Sequence, residues 1–144
     1  MFSKDDLLFI VNDASDVLKI EGQYAQKVML ILPAADYDST RLFLEKMLSA
    51  AKLNLMQDTL IVQLLGQESV NIMQEIKKRA PEQVLIFGIQ PDQLCLHIET
   101  KLYQPLFFQN TNFLFADRLT LLESDKNMKT KLWAAMQVVF KIQK

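Results

Sequence analysis

Three short, almost uninterrupted apolar runs constrain this chain most: Val28-Met29-Leu30-Ile31-Leu32, Thr59-Leu60-Ile61-Val62-Gln63-Leu64-Leu65 and Val84-Leu85-Ile86-Phe87-Gly88-Ile89. A strand with one face in water alternates apolar and polar residues. A strand covered on both faces reads as a continuous apolar run, as in a parallel sheet. The segments between these runs carry helical spacing instead. Leu44, Leu48, Ala51 and Leu55 repeat every three or four residues behind Asp38-Ser39, which is read as the helix cap. Ser69 is read as the cap of a helix bearing Val70, Ile72, Met73 and Ile76. That helix ends in Lys77-Lys78-Arg79, whose charges suit the negative end of the helix dipole, with Pro81 just beyond. Residues 4–19 carry a further amphipathic stripe, Leu7, Val11, Ala14 and Leu18, which Gly22 terminates. The resulting order, αβαβαβ, predicts a three-layer α/β/α sandwich around a mainly parallel sheet of four to five strands.

The pattern changes after Pro91. Leu94-Cys95-Leu96-His97-Ile98 alternates and is read as a strand, and Leu102–Phe108 as a second extended piece, the two forming a hairpin or an edge excursion. Phe113-Leu114-Phe115 is a further short strand, and residues 117–123 a helical turn. A last helix runs from Ser124-Asp125 to about Lys141. Met128, Leu132, Ala135 and Val139 form one of its stripes; Trp133, Met136 and Phe140 form the next. Nothing in the 144 residues resembles a linker or a repeat, so the chain is expected to be one domain, 1–144, with helix 4–19 at its periphery.

Composition excludes more chemistry than it suggests. Only three glycines occur, Gly22, Gly66 and Gly88, all isolated, so neither a Walker A loop nor a dinucleotide fingerprint can be built. One Cys (Cys95) leaves no intrachain disulfide and no Cys-x-x-Cys motif, and one His (His97) leaves no paired-histidine zinc motif. No cofactor or metal is expected. Sixteen basic residues against seventeen acidic ones argue against binding driven by a large basic excess, so direct nucleic-acid contact is not expected. Two Asp precede the short apolar run Leu7–Val11, unlike a signal peptide, and no run is long enough to span a bilayer; no membrane partner is expected, and the cytoplasm is the expected compartment.

The order of the pieces resembles the uracil-DNA glycosylase-like fold, with Gln83-Val84-Leu85-Ile86-Phe87-Gly88 looking like that fold's third parallel strand ending at a glycine. A narrower resemblance lies in the C-terminal third. Phe115-Ala116-Asp117-Arg118-Leu119, Leu121-Leu122, Asp125, Lys129, Leu132-Trp133 and Met136 are similar to the psi subunit family of the bacterial DNA polymerase III holoenzyme. That family carries the glycosylase-like fold without its chemistry. The resemblance implies a non-catalytic protein–protein adaptor in DNA replication, an accessory subunit of the clamp loader whose partners are a chi-like subunit and the loader itself. It implies no enzymatic activity.

The residues agree with that implication. An active glycosylase needs a polar residue to position water in the loop after the first strand, and a histidine near the last strand. The corresponding stretch here, Leu32-Pro33-Ala34-Ala35-Asp36-Tyr37, has no glycine, and Ala116-Asp117-Arg118-Leu119 has no histidine. Asp36, Tyr37, Asp117 and Arg118 are therefore candidates for a remnant crevice, the alternative being a divergent DNA- or nucleobase-binding relative with weak or no activity. Asp36 also suits a turn. His97 reads as a surface or edge-strand histidine sharing a strand face with Cys95. Lys77-Lys78-Arg79 reads as a solvated helix end. Trp133 reads as core, with an interface anchor as the sharper alternative. Leu7, Val11, Ala14 and Leu18 are candidate partner-binding residues, a helix face that would dock in a partner's groove.

Overall fold

The computed structural model describes residues 17–141. Their order is β1 (Leu18–Glu21), β2 (Val28–Pro33), α1 (Ala34–Ala50), α2 (Leu55–Asp58), β3 (Thr59–Leu64), α3 (Ile72–Arg79), β4 (Gln83–Phe87), a 3-10 turn (Pro91–Leu94), β5 (Leu106–Phe108), β6 (Thr111–Ala116), α4 (Leu119–Ser124) and α5 (Lys126–Val139). The fold is α/β. One six-stranded sheet runs β1-β3-β2-β4-β6-β5.

The three apolar runs became β2, β3 and β4, which lie side by side and parallel, and β6 extends the parallel set. The two edges reverse: β1 pairs antiparallel with β3, and β5 antiparallel with β6. The sheet is therefore mixed and six-stranded, not mainly parallel with four or five strands. Of the two edge strands, β5 lies within the extended piece expected over Leu102–Phe108, whereas β1, four residues long, is too short for its alternation to be read from sequence.

Leu18 corrects the helix expected over 4–19. It opens β1 opposite Leu64 and is buried. Its spacing from Leu7, Val11 and Ala14 fits a helix, but pairing with β3 decides its conformation. Leu7, Val11 and Ala14 lie outside the described residues.

α1 starts earlier than its sequence suggested. It leaves β2 directly, with Pro33 at the N-cap and no side-chain cap. Proline presets the backbone for this strand-to-helix junction and has no N–H to leave unpaired. Asp38 and Ser39 lie inside the helix, so they do not cap it, and the stretch 32–37 is a strand end and a first turn, not a loop. Leu55 is not on that helix either; it opens α2, whose cap is Asn54. α3 begins at Ile72, so Ser69 does not cap it. Val70 N–H donates to the Gln93 carbonyl, which commits that backbone to the 3-10 turn before the helix can start. The helix ends at Ala80 in the left-handed conformation, with the basic run in its last turn and Pro81 following.

The segment 94–98 is not a strand. Leu94 ends the 3-10 turn and Cys95 takes a left-handed φ of 57°. Leu94 and Leu96 are nonetheless buried, while Cys95 and His97 are exposed. Only Leu106–Phe108 of the second extended piece pairs, and its partner is β6. The two-residue connection Gln109-Asn110 has φ of 53° and 64°, the left-handed pair that a tight hairpin turn demands.

Alternation along the parallel strands divides the core between the sheet's two faces. Leu30, Leu32, Ile61, Leu85, Phe87 and Leu114 face α1, α2, α4 and α5. Met29, Ile31, Val62, Val84, Ile86 and Phe113, with Leu18 of β1 beside them, face α3 and the chain from Ile89 to Leu96.

Candidate functional site

The parallel strands run in the spatial order β3-β2-β4-β6. The chain moves from β2 outward to β3, then returns to the other side for β4. The connections therefore diverge between β2 and β4, and a crevice opens there at the strands' carboxyl ends. Three sequence elements reach this rim: residues 34–36 after β2, Gly88 after β4, and Asp117-Arg118 after β6.

Arg118 crosses over Gly88 to reach Asp36. Its Nε and Nη2 donate to the two carboxylate oxygens at 3.1 and 2.7 Å, a two-pronged pair. Asp36 is only 3% exposed, whereas the Arg118 side chain is 59% exposed. The carboxylate holds the Arg118 pKa above its ordinary value, chiefly by accepting these hydrogen bonds. The Asp36 carbonyl also accepts from the Thr40 and Ser39 hydroxyls, which fixes the first turn of α1.

Gly88 makes this crossing possible. Its φ is +75°, and a Cβ there would lie 2.4 Å from Arg118 Cγ and 3.0 Å from Arg118 Cα. Its N–H donates to the Ala116 carbonyl, tying the ends of β4 and β6.

Asp117 serves a second local pair. Its carboxylate accepts from the Tyr103 hydroxyl, while Tyr103 N–H donates to the Phe115 carbonyl. Burial, reinforced by that hydrogen bond, pushes the Tyr103 pKa well above the usual phenol range. Next to these groups lies a cavity of about 330 Å³, with Gly88, Thr100, Leu102, Phe115, Asp117 and Arg118 in its wall.

The structure thus brings together Asp36 and Arg118, with Asp117 beside them. It does not bring in Tyr37, which is buried in the core on the sheet face covered by α1, α2, α4 and α5. Burial raises the Tyr37 pKa. Its hydroxyl and Gln63 Nε2 are buried without a hydrogen-bond partner. Leu18, the described member of the partner-binding set, is core on the opposite face of the sheet.

Cys95 and His97 do not share a strand, so the expected side-by-side placement is lost. Of the basic run, Arg79 donates to Glu75 at 2.9 Å and its carbonyl accepts from the Tyr24 hydroxyl, while Lys77 and Lys78 are exposed. Among the described residues no three His, Cys, Asp or Glu side chains cluster at metal-binding spacing, and no helix is long and apolar enough to cross a membrane.

The sequence reading missed Gly88 and Tyr103 as parts of this rim. An isolated glycine closing an apolar run was the available signal for Gly88; Tyr103 carried none. No family model matches the chain, and no curated protein matches it.

Proposed function

We propose that this chain is a non-catalytic protein–protein adaptor on a uracil-DNA glycosylase-like scaffold, serving as a psi-like accessory subunit of a DNA polymerase III clamp loader. The observation that carries the non-catalytic reading is the Asp36–Arg118 pair. A carboxylate that activates water must face substrate. Here the buried carboxylate at the strand-end crevice spends both oxygens on a guanidinium, and the second carboxylate, Asp117, accepts from Tyr103. The polar groups of the rim tie the start of α1 and the segment before β5 to the chain after β6. The replication assignment rests on the resemblance of residues 115–136. The mechanism would be tethering, which raises the effective concentration of partners without bond chemistry.

Size-exclusion chromatography of the full chain with purified clamp-loader subunits and a chi-like subunit tests this at micromolar concentration. Co-elution is expected; its absence removes the replication role.

The cavity beside Arg118 favours one other reading, a divergent relative that binds a nucleobase. A uracil-containing oligonucleotide assay, with titration of free nucleobases, separates the two. The adaptor reading expects no cleavage and no binding, and uracil release would overturn it.

A further inference from the structure

A groove of about 280 Å³ lies between α1 and α5, its floor reaching the core residues Met47, Leu132 and Met136. Phe43 and Met47 of α1 and Trp133 and Met136 of α5 form its walls, and Lys46 and Lys129 stand at its edges. Phe43 and Trp133 are only half-buried, and both lysines are exposed. Lys129 Nζ sits 5.8 Å from the Phe43 ring centroid. Leu42, one turn before Lys46 and 72% exposed, extends the apolar surface past the edge.

The charged residues lining the groove are both basic, and Lys126 lies one turn before Lys129. The nearest acid on that helix, its N-cap Asp125, has its carboxylate engaged by Met128 N–H. Glu45, the acid next to Lys46, accepts from Arg41 instead. Among the described residues no carboxylate lies within ion-pair distance of Lys46 or Lys129.

We propose that this groove docks an acidic amphipathic segment of a partner protein, its large apolar side chains against Trp133 and Phe43 and its carboxylates on Lys46 and Lys129. The proposal rests on the adaptor reading and gives it a surface. Two facing helices with an apolar floor suit a third helix laid along them. A tryptophan with an aromatic neighbour supplies the kind of anchor on which binding energy concentrates. The two edge lysines select for acidic flanks and speed encounter. They also oppose a second copy of this chain, since a two-fold pairing would set like charges against each other.

Trp133 is the single tryptophan of the chain, so its emission reports occupancy of the groove directly. The test selects a random-peptide display library on the full-length chain and titrates the enriched peptides. Enrichment of peptides with large apolar residues at helical spacing between Asp or Glu flanks is expected, and their binding should change Trp133 emission. Lys46→Glu/Lys129→Glu, both at exposed positions and checked for folding by circular dichroism, should weaken them roughly tenfold or more. A basic-flanked copy should regain affinity for that variant. No enrichment, basic consensus flanks, or unchanged Trp133 emission at saturation overturns the proposal. So does a concentration-dependent dimer, seen by sedimentation, that the double variant abolishes. If the double variant co-elutes with clamp-loader subunits as well as the unaltered chain does, the groove assignment falls while the adaptor reading stands. If the unaltered chain does not co-elute yet acidic peptides bind, the reverse holds.

Discussion

Gly22 and Gly88 are the two places where a single missing Cβ matters. At Gly22, φ is +112° and a Cβ would meet the Thr59 carbonyl oxygen at 2.2 Å, a backbone atom held in the sheet. At Gly88 the obstacle is Arg118, whose side chain can yield but whose Cα, at 3.0 Å, cannot move freely. Gly22→Ala and Gly88→Ala should each cost about 2–4 kcal/mol in urea unfolding, Gly22→Ala the more. Gly66→Ala, whose nearest neighbour is Glu68 Oε1 at 3.7 Å, should stay within about 0.5 kcal/mol. Arg118→Ala tests the rim pair. It strands a buried carboxylate, and leaving such a group unpaired is far costlier than losing an exposed contact. The urea midpoint should fall clearly for Arg118→Ala and hardly move for Arg41→Ala, whose partner Glu45 is half in water. Adding Asp36→Asn to Arg118→Ala should recover part of the loss, because the charge is then gone.

Elements whose signal is local were readable from sequence, and elements decided by distant contacts were not. β2, β3 and β4 announce themselves because a strand buried on both faces leaves no polar interruption. α5 was readable because its cap is chemical: the Asp125 side chain accepts from Met128 N–H at 3.0 Å. β1 was hidden because Leu18 satisfies a helical stripe and a four-residue strand equally well, and only β3 chooses between them. The start of α1 was hidden because Pro33 sets it without a side-chain cap, so Asp38 and Ser39 drew the boundary at least five residues too late. The same division holds at the rim. Asp36 and Arg118 could be named one by one, but their pairing spans 82 residues and follows from strand order. Caps give the check. Asp125→Ala should cost about 1 kcal/mol, because it orphans a helix-terminal N–H. Asp38→Ala should change stability by less than about 0.5 kcal/mol, because that side chain caps nothing. Equal losses at both positions would return the α1 boundary to Asp38.

Across the whole molecule the three tyrosines pack between elements, and burial raises the pKa of all three. The Tyr24 hydroxyl, in the turn between β1 and β2, donates to the Arg79 carbonyl at the end of α3 at 3.0 Å. Burial pushes its pKa up to about 12, although Arg79 pulls the other way. Tyr37 pins the first turn of α1 to the core, and Tyr103 joins the chain before β5 to Asp117 after β6. In the unfolded chain these phenols ionise near pH 10. Below that pH both states keep the proton, and the stability from burial is fully present. Between about pH 10 and 12 the unfolded chain loses protons that the fold retains, so stability falls as pH rises. Tyrosinate absorbance at alkaline pH should therefore appear together with the loss of far-ultraviolet circular dichroism, in one cooperative step. Tyr24→Phe should make the decline shallower above pH 10, because one group that differs between the states is removed. Tyrosinate absorbance rising near pH 10 while the dichroism stays native would mean that these phenols are open to solvent and that their burial does not support the fold.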